Sequence, residues 1–198
     1  MLLHEKLKNK RVILASNSPR RRQLLSEAGF RFDTAEKYEC DERVPADLPA
    51  ADTAEYIAAL KSRAYPEPLA ENEILITADT VVIVGDEVLG KPADRNDALR
   101  MLRLLSGRTH TVTTGVMFRT ADKSLIFKAE TAVTFRKLTD EEAEYYVDNF
   151  RPYDKAGAYG IQEWIGYAAA ERIEGSFYNV MGLPVQRLYK ELEDFLEK

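Results

Sequence analysis

The run EILITADTVVIVG, residues 73–85, constrains this chain more than any other stretch. It is rich in β-branched and other apolar residues and has no glycine or proline before Gly85, so it reads as one long strand. Beyond the opening Glu73, one carboxylate, Asp79, interrupts its apolar and threonine sequence. An ionised side chain among apolar neighbours is costly without a partner, so Asp79 needs a lysine, a metal ion, a protonated ligand or, in a purely structural role, backbone amides. Strand ends that face a cleft are common places for catalytic carboxylates.

Other strand-like runs fall at 11–15, 31–35, 110–120, 124–138 and 166–175. Helical patterns alternate with them at 20–28, 51–65, 94–105, 139–150 and 185–197. That order is α/β. A turn at 121–123 joins two long strands, which makes part of the sheet antiparallel. The expected fold is therefore a mixed, partly antiparallel twisted sheet flanked by helices. The proline groups PADLPA and YPEPLA read as loops, so residues 1–198 are expected to form one domain with two lobes around a cleft.

Several function classes are excluded early. The single cysteine, Cys40, permits no internal disulfide and no thiolate metal cage. His4 and His110 are far apart in sequence, which leaves little material for a zinc site or a Ser-His-Asp triad. No window approaches the roughly 20 apolar residues of a membrane span, and a cytoplasmic protein is expected. A formal charge of −5 argues against a protein that coats nucleic acid.

Charge is nevertheless uneven. Between Lys10 and Arg31 there are six basic residues and one acid, Glu27, the footprint of a small anionic ligand. Within this stretch Ser18-Pro19 is a helix start, with serine as the cap and proline at the first helical position. Arg20 and Arg21 then fall in the first turn, where a cation is disfavoured by about 0.3–1 kcal/mol unless an anion is present. Helix amides, a loop of small polar residues and guanidinium groups together suit a phosphate. Helical spacing turns Arg20 and Arg21 inward with Leu24 and Leu25 and sends Arg22 to solvent. A basic cluster serving solubility is the alternative reading.

Three further features join them. Lys61 shares the apolar helix face of Ala54 and Ile57, where an inward ammonium needs an anion or must snorkel to the rim. Gly85-Asp86 reads as a tight hairpin that turns Lys91, in the loop Gly90-Lys91-Pro92, back towards Asp79. The segment DKAGAYGIQ, residues 154–162, places the amide of Gln162 in a glycine-containing loop, where it can pair with a base or water.

The co-linear series LASNSPRRRQLL, ITADTVV, GDEVLGKP, MLRLLSGRTHTVTTGV, DKAGAYGIQ and GSFYNVMGLPV resembles the Maf family of nucleoside triphosphate pyrophosphatases, once described as septum formation inhibitors. The resemblance covers nearly the whole chain. It implies a Maf/ITPase-like fold with a central cleft, a homodimer, and hydrolysis between the α and β phosphates to a nucleoside monophosphate and pyrophosphate. The form DKAGAYGIQ is similar to the branch acting on dTTP and UTP. By this resemblance Ser16, Ser18, Arg20, Arg21 and Gln162 contact substrate, Lys61 and Lys91 bind or polarise the phosphates, and Asp79 is the proton acceptor. The implied cofactor is a divalent cation, Mg²⁺ with Mn²⁺ or Co²⁺ as alternatives, at Asp79 and Asp41, with Glu42 able to replace Asp41. Nucleotidyl transfer to a sugar and a nucleotide-responsive role in cell division are the rival readings.

Overall fold

The structure, a computed structural model, describes residues 2–197. In chain order its elements are α1 (Leu3–Lys6), β1 (Arg11–Leu14), α2 (Pro19–Glu27), β2 (Asp33–Thr34), α3 (Thr53–Ala64), β3 (Glu73–Val84), β4 (Glu87–Leu89), α4 (Arg95–Leu105), β5 (Thr109–Arg119), β6 (Ser124–Phe135), α5 (Asp140–Phe150), α6 (Trp164–Ala169), β7 (Ala170–Glu174), α7 (Phe177–Met181) and α8 (Val185–Glu197). Short 3-10 turns lie at Ala50–Asp52 and Ala156–Ala158.

Seven strands form one sheet in the order β2-β1-β3-β5-β6-β7, with β4 beside β3. β1 runs parallel to both β2 and β3, whereas β4 is antiparallel to β3 and β7 to β6. The mixed sheet expected from the sequence is thus present. The chain divides into two compact units, one formed by the residues up to Asp79, Thr114–Ala129 and the residues from Gly182 on, the other by Thr80–Thr113 and Glu130–Met181.

In the first unit, Val12, Ile13 and Leu14 of β1 and Ile74, Leu75 and Ile76 of β3 are buried, which explains their continuous apolar runs. Burying a side chain of this size contributes about 1.5–3 kcal/mol. Arg11 pins the register at the strand ends through Asp33 and Glu73, both at 2.6 Å. Helix α3 lies directly against β5: a Cβ built on Gly115 would stand 2.5 Å from the Ala54 carbonyl oxygen. Glycine is required there by close backbone approach. The Thr77 hydroxyl also donates to the Ala58 carbonyl at 2.8 Å, fastening the same helix to β3.

In the second unit, α4 and α5 carry Leu99, Leu102, Leu105, Tyr146 and Val147 into one core with Val82, Leu89 and Phe135. Asp94 caps α4 through the Asp97 amide, and Thr139 with Glu142 forms a capping box on α5. The expected hairpin is present: Gly85 takes φ +60° and Val84 pairs with Glu87.

Two segments differ from expectation. Residues 166–175 do not form one strand, because Gly166–Ala169 complete α6 before β7 begins at Ala170. Its alanines favour helix, and Gly166 packs so tightly on the Ile161 carbonyl that a Cβ has no room. Of residues 31–35, only Asp33–Thr34 pair as a strand. The helices α1, α6 and α7, too short to show a period, were not legible as separate elements.

Candidate active site

Asp79 lies midway along β3, as the last residue of that strand in the first unit, and α3 brings Lys61 to it. Lys61 Nζ lies 2.6 Å from Asp79 Oδ1, with the two side chains 19% and 15% exposed. Of the partners its sequence allows, Asp79 thus meets a lysine. Glu42 joins the same ammonium at 3.4 Å from the exposed loop before α3. One lysine therefore faces two carboxylates, which leaves the cluster with net negative charge.

Lys61 is held from behind. The Tyr38 hydroxyl donates to the Lys61 carbonyl at 2.8 Å, and Arg119 donates through Nη2 to the Ser62 carbonyl at 2.8 Å and through Nε to its hydroxyl at 3.1 Å. These bonds engage the last turn of α3, where helix carbonyls lack internal partners. Tyr38 and Arg119 were not singled out from sequence; neither lies in a stretch with a chemical signature.

The arginine loop is built as its sequence suggests. Ser18 caps α2, its hydroxyl accepting from the Arg21 amide, and Pro19 begins the helix. Ser16 lies half-buried just before, its hydroxyl accepting from the Ser18 amide at 3.3 Å. Arg20 is half-buried and Arg22 exposed, whereas Arg21 is only 8% exposed. The Arg21 guanidinium folds back on the protein: Nε donates to the Gly182 carbonyl at 2.8 Å, and Nη1 to the Ala78 carbonyl at 2.8 Å and the Ser16 hydroxyl at 3.4 Å. Burial pushes its pKa down, and the nearby Asp79 charge opposes that shift.

Asp41 is differently placed. Its exposed carboxylate is gripped by Arg43 through both Nε and Nη2, and those hydrogen bonds hold its pKa below the usual carboxylate range. Glu42, the alternative acid, is the one that faces Lys61.

Lys91 and Gln162 belong to the second unit. The β3–β4 hairpin leads into Gly90, and Lys91 follows it exposed. The amide of Gly157, at φ +68° in the segment that leads to Gln162, donates to the Gly90 carbonyl at 3.0 Å. A Cβ on Gly157 would meet Val82 Cγ2 at 2.8 Å, so glycine is needed for both its conformation and its packing. The Gln162 side-chain oxygen is buried without a hydrogen-bond partner. Just beyond it Glu163 accepts from the Tyr146 hydroxyl and pairs with Lys155 at 3.1 Å. This group, a half-buried acid held by a buried lysine and tyrosine, was missed in the sequence, where Asp154-Lys155 looks like an ordinary charged loop.

Among the described residues no group of three or more His, Cys, Asp or Glu side chains gathers as a metal cage. Asp79 and Glu42, converging on one ammonium, nonetheless offer carboxylate oxygens of the kind Mg²⁺ uses, one or two at a time, together with substrate phosphates and water. The donor set fits such an ion. No helix among the described residues is long and apolar enough to cross a membrane.

Comparison with known proteins agrees with this reading of the motifs. A protein from Parabacteroides distasonis named dTTP/UTP pyrophosphatase is 53% identical over 96% of this chain and 99% of its own. A namesake from Porphyromonas gingivalis is 51% identical over 98% of each chain, and one from Flavobacterium johnsoniae 44% identical over 96% of this chain and 98% of its own. The sequence profile of the family described as Maf-like protein matches residues 11–195. With relatives this similar along nearly its whole length, the chain belongs to the Maf-like protein family.

Proposed function

We propose that the chain is a nucleoside triphosphate pyrophosphatase that hydrolyses dTTP and UTP between the α and β phosphates. The substrate follows from relatives 44–53% identical that carry the name dTTP/UTP pyrophosphatase. The observation that carries the chemistry is the Lys61–Asp79 pair, a base and a cation held 2.6 Å apart.

A triphosphate bears about four negative charges, which repel a nucleophile until cations offset them. Lys61 serves that purpose within the first unit, and Arg20 adds a guanidinium at the N-terminus of α2. Asp79 accepts the proton of the attacking water as its oxygen bonds to the α-phosphorus, and the α–β bridging oxygen departs with pyrophosphate. When phosphates engage the ammonium, the Asp79 carboxylate is released to act as base. Lys91 and Gln162 are assigned to substrate by family resemblance. Mg²⁺, held by Asp79 and Glu42, would supply further charge neutralisation. A cytoplasmic location and a homodimer complete the reading.

The test incubates purified protein with dTTP or UTP, Mg²⁺ and no sugar phosphate, and resolves the products. Equal amounts of monophosphate and pyrophosphate are expected. Strict dependence on an acceptor sugar phosphate would replace hydrolysis with transfer.

A further inference from the structure

Two adjacent arginines at a helix N-terminus look interchangeable in sequence, but their side chains are not equivalent in the structure. Arg20 is half-buried, whereas Arg21 is buried and spends Nε and Nη1 on the protein itself. Its acceptors come from separate parts of the first unit: Gly182 just before α8, Ala78 on β3, and Ser16 in the loop ahead of α2. Only a planar fork can reach acceptors spread in this way, because a lysine ammonium donates from a single point.

The Ala78 carbonyl is the informative partner. It belongs to the rigid peptide plane that continues into the nitrogen and Cα of Asp79. A donor fixed on that oxygen at 2.8 Å sets the tilt of the plane and hence the direction in which the Asp79 side chain leaves the strand. Gly182, at φ +119°, presents the second carbonyl from a conformation that side chains disfavour. We propose that Arg21 is a positioning residue: it fixes the Ala78–Asp79 peptide, and with it the carboxylate paired to Lys61, while Arg20 is the arginine that meets the phosphates. This rests on the pyrophosphatase reading and refines it, since the resemblance alone gives both arginines the same task.

The experiment separates the two roles by kinetics. Arg21→Lys keeps the charge but not the fork. It is expected to lower kcat about 10–100-fold, because small misplacements of a reacting group are costly, while KM and the inhibition constant of pyrophosphate stay within about threefold of wild type. Arg20→Ala is expected to raise both of those constants about tenfold or more. An Arg21→Lys enzyme with wild-type kcat and a tenfold weaker grip on pyrophosphate would overturn the proposal. If that variant does not fold, the wild-type protein decides by NMR of its arginine side chains. The assigned Arg21 Nε–H should exchange slowly with solvent in the free protein, protected by the Gly182 carbonyl. Exchange as fast as that of a free arginine in the same buffer would refute it. The exchange measurement needs no substrate, so it stands apart from the outcome of the product assay.

Discussion

Asp79 Oδ1 lies 2.6 Å from Lys61 Nζ, and the two residues, eighteen positions apart in sequence, reach each other from a strand and a helix. The base of the proposed reaction and one of its phosphate-binding cations are therefore a single ion pair before substrate arrives.

Replacing the acid should separate chemistry from binding. Asp79→Asn keeps the size and shape of the side chain but cannot accept the water proton. Turnover is expected to fall about 10²–10⁴-fold, with nucleotide affinity held to within a few-fold. Pyrophosphate release and equilibrium binding of dTTP measure the two separately; wild-type turnover in this variant would remove Asp79 from its role.

Lys61→Ala deletes the cation and leaves Asp79 and Glu42 without their shared ammonium. KM should rise and kcat fall, with kcat/KM reduced about 100-fold or more. Lys61→Arg should recover part of the binding, because charge survives, but less of kcat. Steady-state kinetics over a range of dTTP concentrations distinguishes these effects.

The metal requirement can distinguish neighbouring acids. Chelation by EDTA should stop hydrolysis and added Mg²⁺ should restore it. Glu42→Gln should raise the Mg²⁺ concentration needed for half-maximal rate by about tenfold, whereas Asp41→Asn, whose carboxylate is engaged with Arg43, should change it little. Mg²⁺ titrations of the two variants compare them directly.

Stability should fall in acid through His110. This buried imidazole pairs with the Tyr159 hydroxyl at 2.7 Å, and burial lowers its pKa from 6.5 to about 4. Between those values the unfolded chain binds the proton more readily than the folded one. The stabilisation is complete above the unfolded pKa and is lost as pH falls through 6.5 towards 4, by up to about 3 kcal/mol. Urea unfolding between pH 7 and pH 4 should show that slope, and His110→Phe should flatten it.

Gly115→Ala probes how α3 is seated. A methyl group placed 2.5 Å from the Ala54 carbonyl must push the helix off β5. Overpacking of this kind costs about 1–3 kcal/mol, or about 3–10 °C in Tm for a chain of this size. Lys61 travels with α3, so kcat should fall along with Tm. Calorimetry and the pyrophosphate assay on the same preparation test both effects.

Much of this is legible in the sequence itself. The long β3 run announced itself by β-branched residues, α2 by its Ser-Pro start, and Lys61 by its place on an apolar helix face. Arg22 was separable from Arg21 by helical spacing, and the solvent position of Arg22 agrees with it. What spacing does not encode is which acceptor a long side chain finds. The bonds from Arg21 to Ala78 and Gly182 span 57 and 161 positions, so no local pattern carries them. The same holds for Glu42 and Asp41, adjacent acids whose difference lies in which cation each meets. Residues 166–169 were misread because a short alanine-rich helix and an apolar strand look alike over four residues.

The bond from the Gly157 amide to the Gly90 carbonyl ties the approach to Gln162 to the residue next to Lys91. Those two side chains are consequently not independent handles for engineering. A change that displaces one loop is transmitted to the other, and paired substitutions there should depart from additivity, as contacts sharing a backbone link do.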